Sequence, residues 1–94
     1  MEKRIGTISI IVESKNSIPT LNDLFSKHSE IILARQGLPL RYHGIHIISL
    51  IVEGNTDQIG SLTGKIGRLP DIQVKSMLTN YRETDHDHKH ITSE

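Results

Sequence analysis

The chain has 94 residues, no cysteine, and 11 basic side chains balanced by 11 acidic ones. This length suits one domain with a single modest core, and the neutral balance is atypical of proteins that bind nucleic acid through bulk electrostatics. Without cysteine the chain forms no disulfide, thiolate nucleophile or cysteine-ligated metal centre. It begins without the features of a secretory signal, and its most apolar stretch, 45–52, is too short to span a bilayer. We therefore expect a soluble cytoplasmic protein.

The first third of the chain predicts a strand followed by a helix. Along residues 5–13, apolar β-branched residues recur at every second position, and this period is typical of a strand. Apolar residues then recur every three or four positions from 18 to about 28, which predicts a short helix. Ser17 suits the N-cap of that helix, and Pro19 fits its first turn equally well.

Two further strands are predicted in the middle of the chain. Residues 31–35 form the first, and we expect Gly37 and Pro39 to end it before a loop. Residues 45–53 give the strongest strand signal, with apolar side chains on both faces. One face holds Ile45, Ile47 and Ile51, and the other holds Ile48, Leu50 and Val52. Helices of the same chain can cover one face, so we expect another subunit to cover the other.

The last third of the chain predicts a helix, a strand and a polar tail. Thr56 is the expected N-cap, and the apolar stripe along 59–69 marks one face of a helix that Pro70 ends. Residues 72–78 alternate between apolar and polar, as in a strand with one exposed face. Residues 80–94 are mostly polar and have no period, so we expect them to be disordered.

This order of elements predicts an α+β, ferredoxin-like βαββαβ fold in residues 1–79. The four strands form an antiparallel sheet, and both helices cover one face of that sheet. The other face is then open, although the strand at 45–53 is apolar there too. Since large apolar faces are rarely left exposed, we expect the protein to associate with itself as a homodimer or homotetramer. We expect no contact with a membrane and no binding to nucleic acid by the chain on its own.

Glycine is unusually frequent in the second predicted helix, which contains Gly60, Gly64 and Gly67. Inside a helix each glycine costs roughly 1 kcal/mol relative to alanine, so the three need a structural reason. One reason is the close approach of a ligand or of another backbone, and the other is tight packing within the fold. Lys65 and Arg68 share a face near the end of this helix, where they suit either the helix dipole or an anion site.

Arg35 ends the second predicted strand, where it either forms a surface salt bridge or points into a cleft between subunits. Beyond it, the sequence holds no Ser, His and Asp at the spacing of a known catalytic motif, and no pair of carboxylates stands out from the ordinary surface charge. The sequence therefore predicts a protein that is not an enzyme.

The histidines suggest a second class of function, which is metal binding. Near the C-terminus three histidines alternate with aspartates, and residues two apart in an extended chain share a side. The three candidate ligands for a divalent transition metal are His86, His88 and His90. The alternative is a polar tail whose metal affinity is incidental. His43 and His46 flank Gly44, but a loop and a strand histidine at this spacing are more often unrelated.

Several motifs give the chain a family resemblance over residues 3–79. They are Arg4-Ile5-Gly6, Arg35-Gln36-Gly37-Leu38-Pro39, Ile47-Ile48-Ser49-Leu50, and Leu62 to Pro70 running into Val74-Lys75. With them the chain resembles the iron-only hydrogenase system regulator family. That family is similar to ACT-type domains and to the ligand-binding domain of the nickel-responsive repressor, which implies a ferredoxin-like fold and a small oligomeric regulatory or sensor module. One departure is Asp71, which follows Leu69-Pro70 where we expect a glycine.

The resemblance and the motifs together predict a non-enzymatic, oligomeric regulator. It would respond to a small-molecule effector or to a regulatory partner protein, with an effector cleft at a subunit interface. The expected ligand-binding residues are Arg35, Gly37, Pro39, Gly64, Lys65, Gly67 and Arg68. The repressor's nickel site is not expected here, because the corresponding stretch holds Gly37 and Pro39 and the chain has no cysteine. The alternative function is a metal-binding protein that uses the C-terminal histidine tract.

Overall fold

The computed structural model describes residues 2–82, which form one four-stranded sheet and two α-helices. The elements are β1 (Arg4–Val12), α1 (Ile18–Lys27), β2 (Ile32–Leu40), β3 (Ile45–Gly54), α2 (Thr56–Gly67) and β4 (Ile72–Arg82). Short 3-10 turns, Lys15–Ser17 and Ser29–Ile31, precede α1 and β2. The strands lie in the order β2-β3-β1-β4, and every neighbouring pair is antiparallel. The predicted ferredoxin-like α+β fold is confirmed.

The hydrophobic core lies between the helices and the sheet face that they cover, which we call the inner face. Strand residues reach this core at every second position and helix residues at every third or fourth, as the predicted periods require. The buried apolar side chains are Ile8, Ile10 and Val12 of β1, Ile48, Leu50 and Val52 of β3, Leu21 and Phe25 of α1, Ile31, and Ile59, Leu62 and Ile66 of α2. Within residues 2–82, no helix has the length and apolar character needed to cross a membrane.

The second strand is longer than predicted, because β2 continues past Gly37 to Leu40. Gly37 pairs with Ile48, and Pro39 pairs with His46, across the ladder between β2 and β3. β2 lies at the edge of the sheet, where one side of the backbone needs no ladder hydrogen bond and proline is therefore tolerated. The prediction that Gly37 and Pro39 end this strand is wrong for that reason.

The N-cap of α2 is Asn55 rather than the predicted Thr56. The Asn55 side chain accepts a hydrogen bond of 2.8 Å from the Gln58 backbone N–H, and the Gln58 side chain accepts one of 2.9 Å from the Asn55 N–H. This reciprocal pair is a capping box. Ser17 does precede α1, but its Oγ donates to the carbonyl oxygen of Pro70 at 2.9 Å instead of capping the helix. Ser17 thus ties the start of α1 to the turn before β4.

The last strand also extends further than the predicted 72–78, since β4 runs to Arg82. Two hydrogen bonds of 2.7 Å hold its far end to β1, from Arg4 Nη2 to the Thr79 carbonyl oxygen and from Thr79 Oγ1 to the Ile5 carbonyl oxygen. These bonds lie beside a register shift between β1 and β4. Residues 83–94, which belong to the predicted tail, lie outside the described residues.

Asp71 adopts a left-handed backbone conformation, with φ of 59°, at the position where a glycine was expected. Its carbonyl oxygen accepts a hydrogen bond of 2.8 Å from the Glu13 N–H, so this conformation connects the turn to the end of β1. We expect Asp71→Gly to have a free energy of unfolding about 1 kcal/mol higher than Asp71→Ala, because only glycine adopts this conformation without strain. Urea denaturation of both variants measures the difference. Equal stabilities would mean that the turn relaxes to another conformation.

Candidate functional site

An open groove of about 580 Å³ lies between α1 and the edge strand β2. We call it the α1–β2 groove. Lys15, Ile18, Pro19 and Asn22 line it on the α1 side. The sheet side consists of Arg35, Gly37, Leu38 and Pro39 of β2 and His46, Ile47 and Ile48 of β3. The structure therefore brings together three of the predicted ligand-binding residues: Arg35, Gly37 and Pro39.

The groove exists because β2 presents little side-chain bulk opposite α1. Gly37 pairs with Ile48 on the inner face, and a Cβ added to Gly37 would meet no atom within 4 Å. Because side chains alternate along a strand, Arg35 and Pro39 lie on the same face as Gly37, one at each end of this gap. Gly37 thus supplies the open space, and its two neighbours on that face define how far the space extends along β2.

Arg35 lies over the surface of α1 and is held by two contacts. Its Nη2 donates to Asn22 Oδ1 at 3.2 Å, and its guanidinium carbon lies 4.8 Å from the centre of the Phe25 ring. The ring itself is buried, with 4% exposure, so the guanidinium rests on a rigid platform. An ion pair within residues 2–82 joins Lys27 and Asp23, at 3.1 Å. Arg35 thus lies beside a cavity of its own chain, and its predicted place in a cleft between subunits stays a prediction.

The charged side chains around the groove are basic. They are Lys15 and Arg35, and no aspartate or glutamate of the described chain lines the groove. A second depression of about 380 Å³ shares Lys15 and His46 with the groove and adds Arg41. The two depressions together form a surface of one sign of charge over an apolar floor.

The other predicted ligand-binding residues lie elsewhere in the chain: Gly64, Lys65, Gly67 and Arg68. They form the last turn and the C-cap of α2, which packs against β4, β3 and α1. Because β2 and β4 are opposite edges of the sheet, none of these α2 residues lines the α1–β2 groove. Within one chain the structure does not join the two halves of the predicted site.

The helix glycines have two different environments. A Cβ added to Gly67 would lie 3.3 Å from Val74 Cγ1, so this glycine allows close packing against β4. Gly60 and Gly64 are exposed, and a Cβ added to either would meet nothing within 4 Å. Tight packing within the fold therefore explains Gly67 and leaves the other two unexplained.

The sequence analysis did not predict the three other polar residues that line the groove: Lys15, Asn22 and His46. Asn22 lies four residues after Ile18 and three before Phe25, so the spacing of the helix carried a signal for it. His46 faces the groove through its pairing with Pro39. That pairing could not be predicted while β2 was expected to stop at residue 35.

The predicted metal ligands cannot be placed, because His86, His88 and His90 lie outside the described residues. In the part of the chain that the structure describes, no three His, Asp or Glu side chains cluster as a metal site would require. His43 lies in the turn between β2 and β3, and His46 lies in β3. A divalent metal at the C-terminal tract therefore stays a prediction.

The sheet face opposite the helices, which we call the outer face, consists of cross-strand rows. The rows are Leu38–Ile47–Ile11–Gln73, Gln36–Ser49–Ser9–Lys75 and Ala34–Ile51–Thr7–Met77. The middle row contains two serines, and shallow depressions of about 310 and 230 Å³ lie along it. We call this middle row the furrow. Apolar side chains on both sides of this furrow are open to solvent, with exposures of 55% for Leu38, 44% for Ile51 and 58% for Met77.

Comparison with known proteins identifies relatives of this chain. The TM1266-like family model, described as "Iron-only hydrogenase system regulator, putative", matches residues 4–76. The structure of the uncharacterized protein TM1266 from Thermotoga maritima superimposes with a TM-score of 0.81 at 34% sequence identity, covering 84% of this chain and 100% of that one. The family expected from the sequence motifs is confirmed.

More distant structures share the fold alone. An unknown protein from Galdieria sulphuraria has a TM-score of 0.60 at 15% identity, over 85% of this chain and 47% of that one. A formyltetrahydrofolate deformylase from Pseudomonas putida KT2440 also has a TM-score of 0.60, at 8% identity, over 82% of this chain and 29% of the enzyme. Among curated proteins, none matches the sequence.

Proposed function

We propose, because this chain belongs to the TM1266-like family of iron-only hydrogenase system regulators, that it acts as a non-enzymatic regulator in that system. In this proposal the protein is a homo-oligomer that binds a small effector in the α1–β2 groove. The oligomer forms through the outer face of the sheet. Effector binding and self-association are then linked through the strand that contributes to both.

The observation that carries the proposal is the alternation of β2 between two surfaces. Arg35, Gly37 and Pro39 face the groove, and Gln36 belongs to a row of the outer face. Leu38 belongs to another of those rows and also borders the groove. An effector that shifts β2 by a small distance therefore also changes the surface that a second copy contacts. Such coupling requires that the effector bind the assembled and the separated states with different affinity.

The hydroxyl contacts described for residues 2–82 favour binding over catalysis. The hydroxyls of Ser17, Thr63 and Thr79 donate to backbone carbonyl oxygens at 2.7 to 2.9 Å. None of the hydrogen bonds described for residues 2–82 joins a hydroxyl to a histidine, which is the contact that activates a serine or threonine nucleophile. We therefore assign the groove a binding role.

The outer face fits a second copy of the same chain. Two apolar ridges flank a furrow floored by Ser9 and Ser49, so a ridge of one copy can enter the furrow of the other about a two-fold axis. The furrow and both ridges are present on the same face, which makes that face complementary to itself. Burying it would remove from water the apolar side chains that the isolated chain exposes.

Self-association is tested by placing a charge at the centre of the outer face. We expect the wild-type protein to be a dimer or a tetramer at tens of micromolar, and Ile51→Lys to dissociate at least about 100-fold more readily. Each two-fold interface would bury two added ammonium groups without partners, and unpaired buried charges are strongly destabilising. Sedimentation velocity and native mass spectrometry measure the assembly size of both proteins.

Tyr42→Lys is the matched control, since it also replaces an exposed apolar side chain by lysine. Tyr42 lies in the turn between β2 and β3 and is fully exposed, so this variant should assemble as the wild type does. A wild-type protein that is a monodisperse monomer, or an Ile51→Lys variant that assembles normally, would contradict the proposal.

The regulatory role is tested in the host organism. Deleting the gene should change the amount or the activity of the iron-only hydrogenase, and the Tyr42→Lys gene should restore the original level. The Ile51→Lys gene should fail to restore it, because the proposed regulator works as an oligomer. Unchanged hydrogenase in the deletion strain, measured under conditions in which the wild type produces the enzyme, would count against the regulatory assignment.

A further inference from the structure

We infer that the α1–β2 groove binds a small organic anion, with a carboxylate or phosphate head group at Arg35 and Lys15 and a compact apolar body against the groove floor. This inference rests on the proposed function, because it names the chemical class of the effector. It is carried by three independent features of the groove: its charge, the geometry of Arg35 and the apolar character of the floor.

The charge of the groove is not a consequence of the overall composition. Residues 2–82 contain ten basic and seven acidic side chains, a modest excess of three. Around the groove, by contrast, Lys15 and Arg35 are accompanied by no carboxylate of the described chain, and Arg41 lies in the adjoining depression. A concave surface lined by one sign of charge raises the local concentration of the opposite ion, so it selects anions.

Arg35 is already positioned to receive an anion. The buried Phe25 ring and Asn22 Oδ1 hold the guanidinium in place, so little conformational entropy is lost when a ligand binds. The bond to Asn22 uses one N–H of Nη2, and a guanidinium has five N–H donors in a planar fork. That fork matches two oxygens of a carboxylate or phosphate, and a positively charged group would be repelled at the same place.

The floor of the groove adds a requirement that an inorganic ion does not meet. Ile18, Pro19, Pro39 and Ile48 provide apolar surface beside the cations, and the gap at Gly37 leaves room next to them. The volume of about 580 Å³ is within the range of pockets for small organic molecules. A bare phosphate would leave this apolar surface in contact with water, whereas an organic anion would cover it.

The test uses three probes that share a phenyl ring, namely benzoate, phenyl phosphate and the neutral amide benzamide. Each is titrated to about 10 mM into isotope-labelled full-length protein, and binding is followed by the shifts of backbone amide signals in two-dimensional NMR. We expect both anions to shift the signals of Gly37 and its neighbours, with dissociation constants at least about tenfold lower than that of benzamide. Inorganic phosphate should bind more weakly than phenyl phosphate.

Variants locate the head group. Arg35→Gln should weaken the binding of benzoate and phenyl phosphate about tenfold. Lys3→Gln is the matched control, because it removes an exposed cation before β1, at the opposite end of that strand from Lys15, and it should bind the anions as the wild type does. Gly37→Ala should fold normally, since its Cβ would meet no atom, and it should weaken all three aromatic probes by filling the groove.

The outcomes separate this inference from the proposed function. If benzamide shifts the groove signals as readily as the anions do, the groove binds small molecules and the anionic class is wrong. Unshifted groove signals with every probe, or an Arg35→Gln variant with unchanged affinity for the anions, would also overturn the inference. If the wild-type protein is a monomer, the proposed function as an oligomeric regulator is wrong, independently of the results with the probes.

Discussion

Replacing Gly6 by alanine is expected to lower the free energy of unfolding by about 2–3 kcal/mol. A Cβ at this position would lie 2.6 Å from the carbonyl oxygen of Met77 and 3.0 Å from Leu78 Cδ2. The first of these atoms belongs to the backbone of β4, so the clash cannot be removed by rotating a side chain. Part of the β1–β4 ladder has to move instead.

The surroundings of Gly6 make such a movement costly. The register between β1 and β4 shifts between Arg4 and Gly6, and close approach of two backbones at such an irregularity is a common reason for glycine in a strand. On the far side of the shift, Thr79 bonds to the Ile5 carbonyl oxygen at 2.7 Å. Displacing β4 would strain this bond as well as the pairing of Gly6 with Leu78.

Gly37→Ala is the control for this experiment, because it makes the same change in β2, the edge strand opposite β4. No atom lies within 4 Å of the added Cβ, so stability should stay constant or rise by about 0.5 kcal/mol as the unfolded chain loses flexibility. Urea denaturation followed by circular dichroism gives both values. A Gly6→Ala protein as stable as Gly37→Ala would mean that the two strands pack less closely at Gly6 than described.

The sheet could be predicted because the periods of its strands are local properties of the sequence. Ile8, Ile10 and Val12 alternate in β1 as buried residues, as their spacing indicated. The segment 45–53 was expected to be apolar on both faces, and it forms β3, which lies between β2 and β1 at the centre of the sheet. The inner face of β3 is covered by the helices, and its outer face lies in the middle of the sheet face that no helix covers. The apolar residues on both faces of this segment therefore predict the strand and also predict the outer face as the place of an interface.

The groove could be predicted only in part, because half of it depends on tertiary packing. Arg35 and Pro39 were identified from their place at the end of a strand, but the direction of Arg35 depends on Phe25 and Asn22 of α1. How α1 lies across β2 is not a local property. His46 was not assigned to the groove, because its position there follows from its pairing with Pro39. That pairing lies in the part of β2 that Pro39 was expected to exclude from the strand.

Replacing Gly60 and Gly64 together by alanine is expected to raise the free energy of unfolding by about 1–2 kcal/mol. Both positions lie inside α2, where glycine increases the entropy lost on folding. Neither added Cβ would meet another atom within 4 Å, so the change has no steric cost in the isolated chain. Gly67→Ala is the control and should gain less, because its Cβ would lie 3.3 Å from Val74 Cγ1. Thermal and urea unfolding of the three proteins test this order.

The same double variant tests whether the exposed glycines of α2 lie at a contact between subunits. Glycines that weaken a helix without improving its packing are explained if another backbone approaches them in the assembled protein. In that case Gly60→Ala/Gly64→Ala would be more stable as a fold but would assemble less well, and Gly64, Lys65, Gly67 and Arg68 would belong to a contact between subunits. A double variant that is more stable and assembles fully would confine the functional surfaces to the groove and the outer face. A double variant less stable than the wild type would contradict the open environment that surrounds these two glycines.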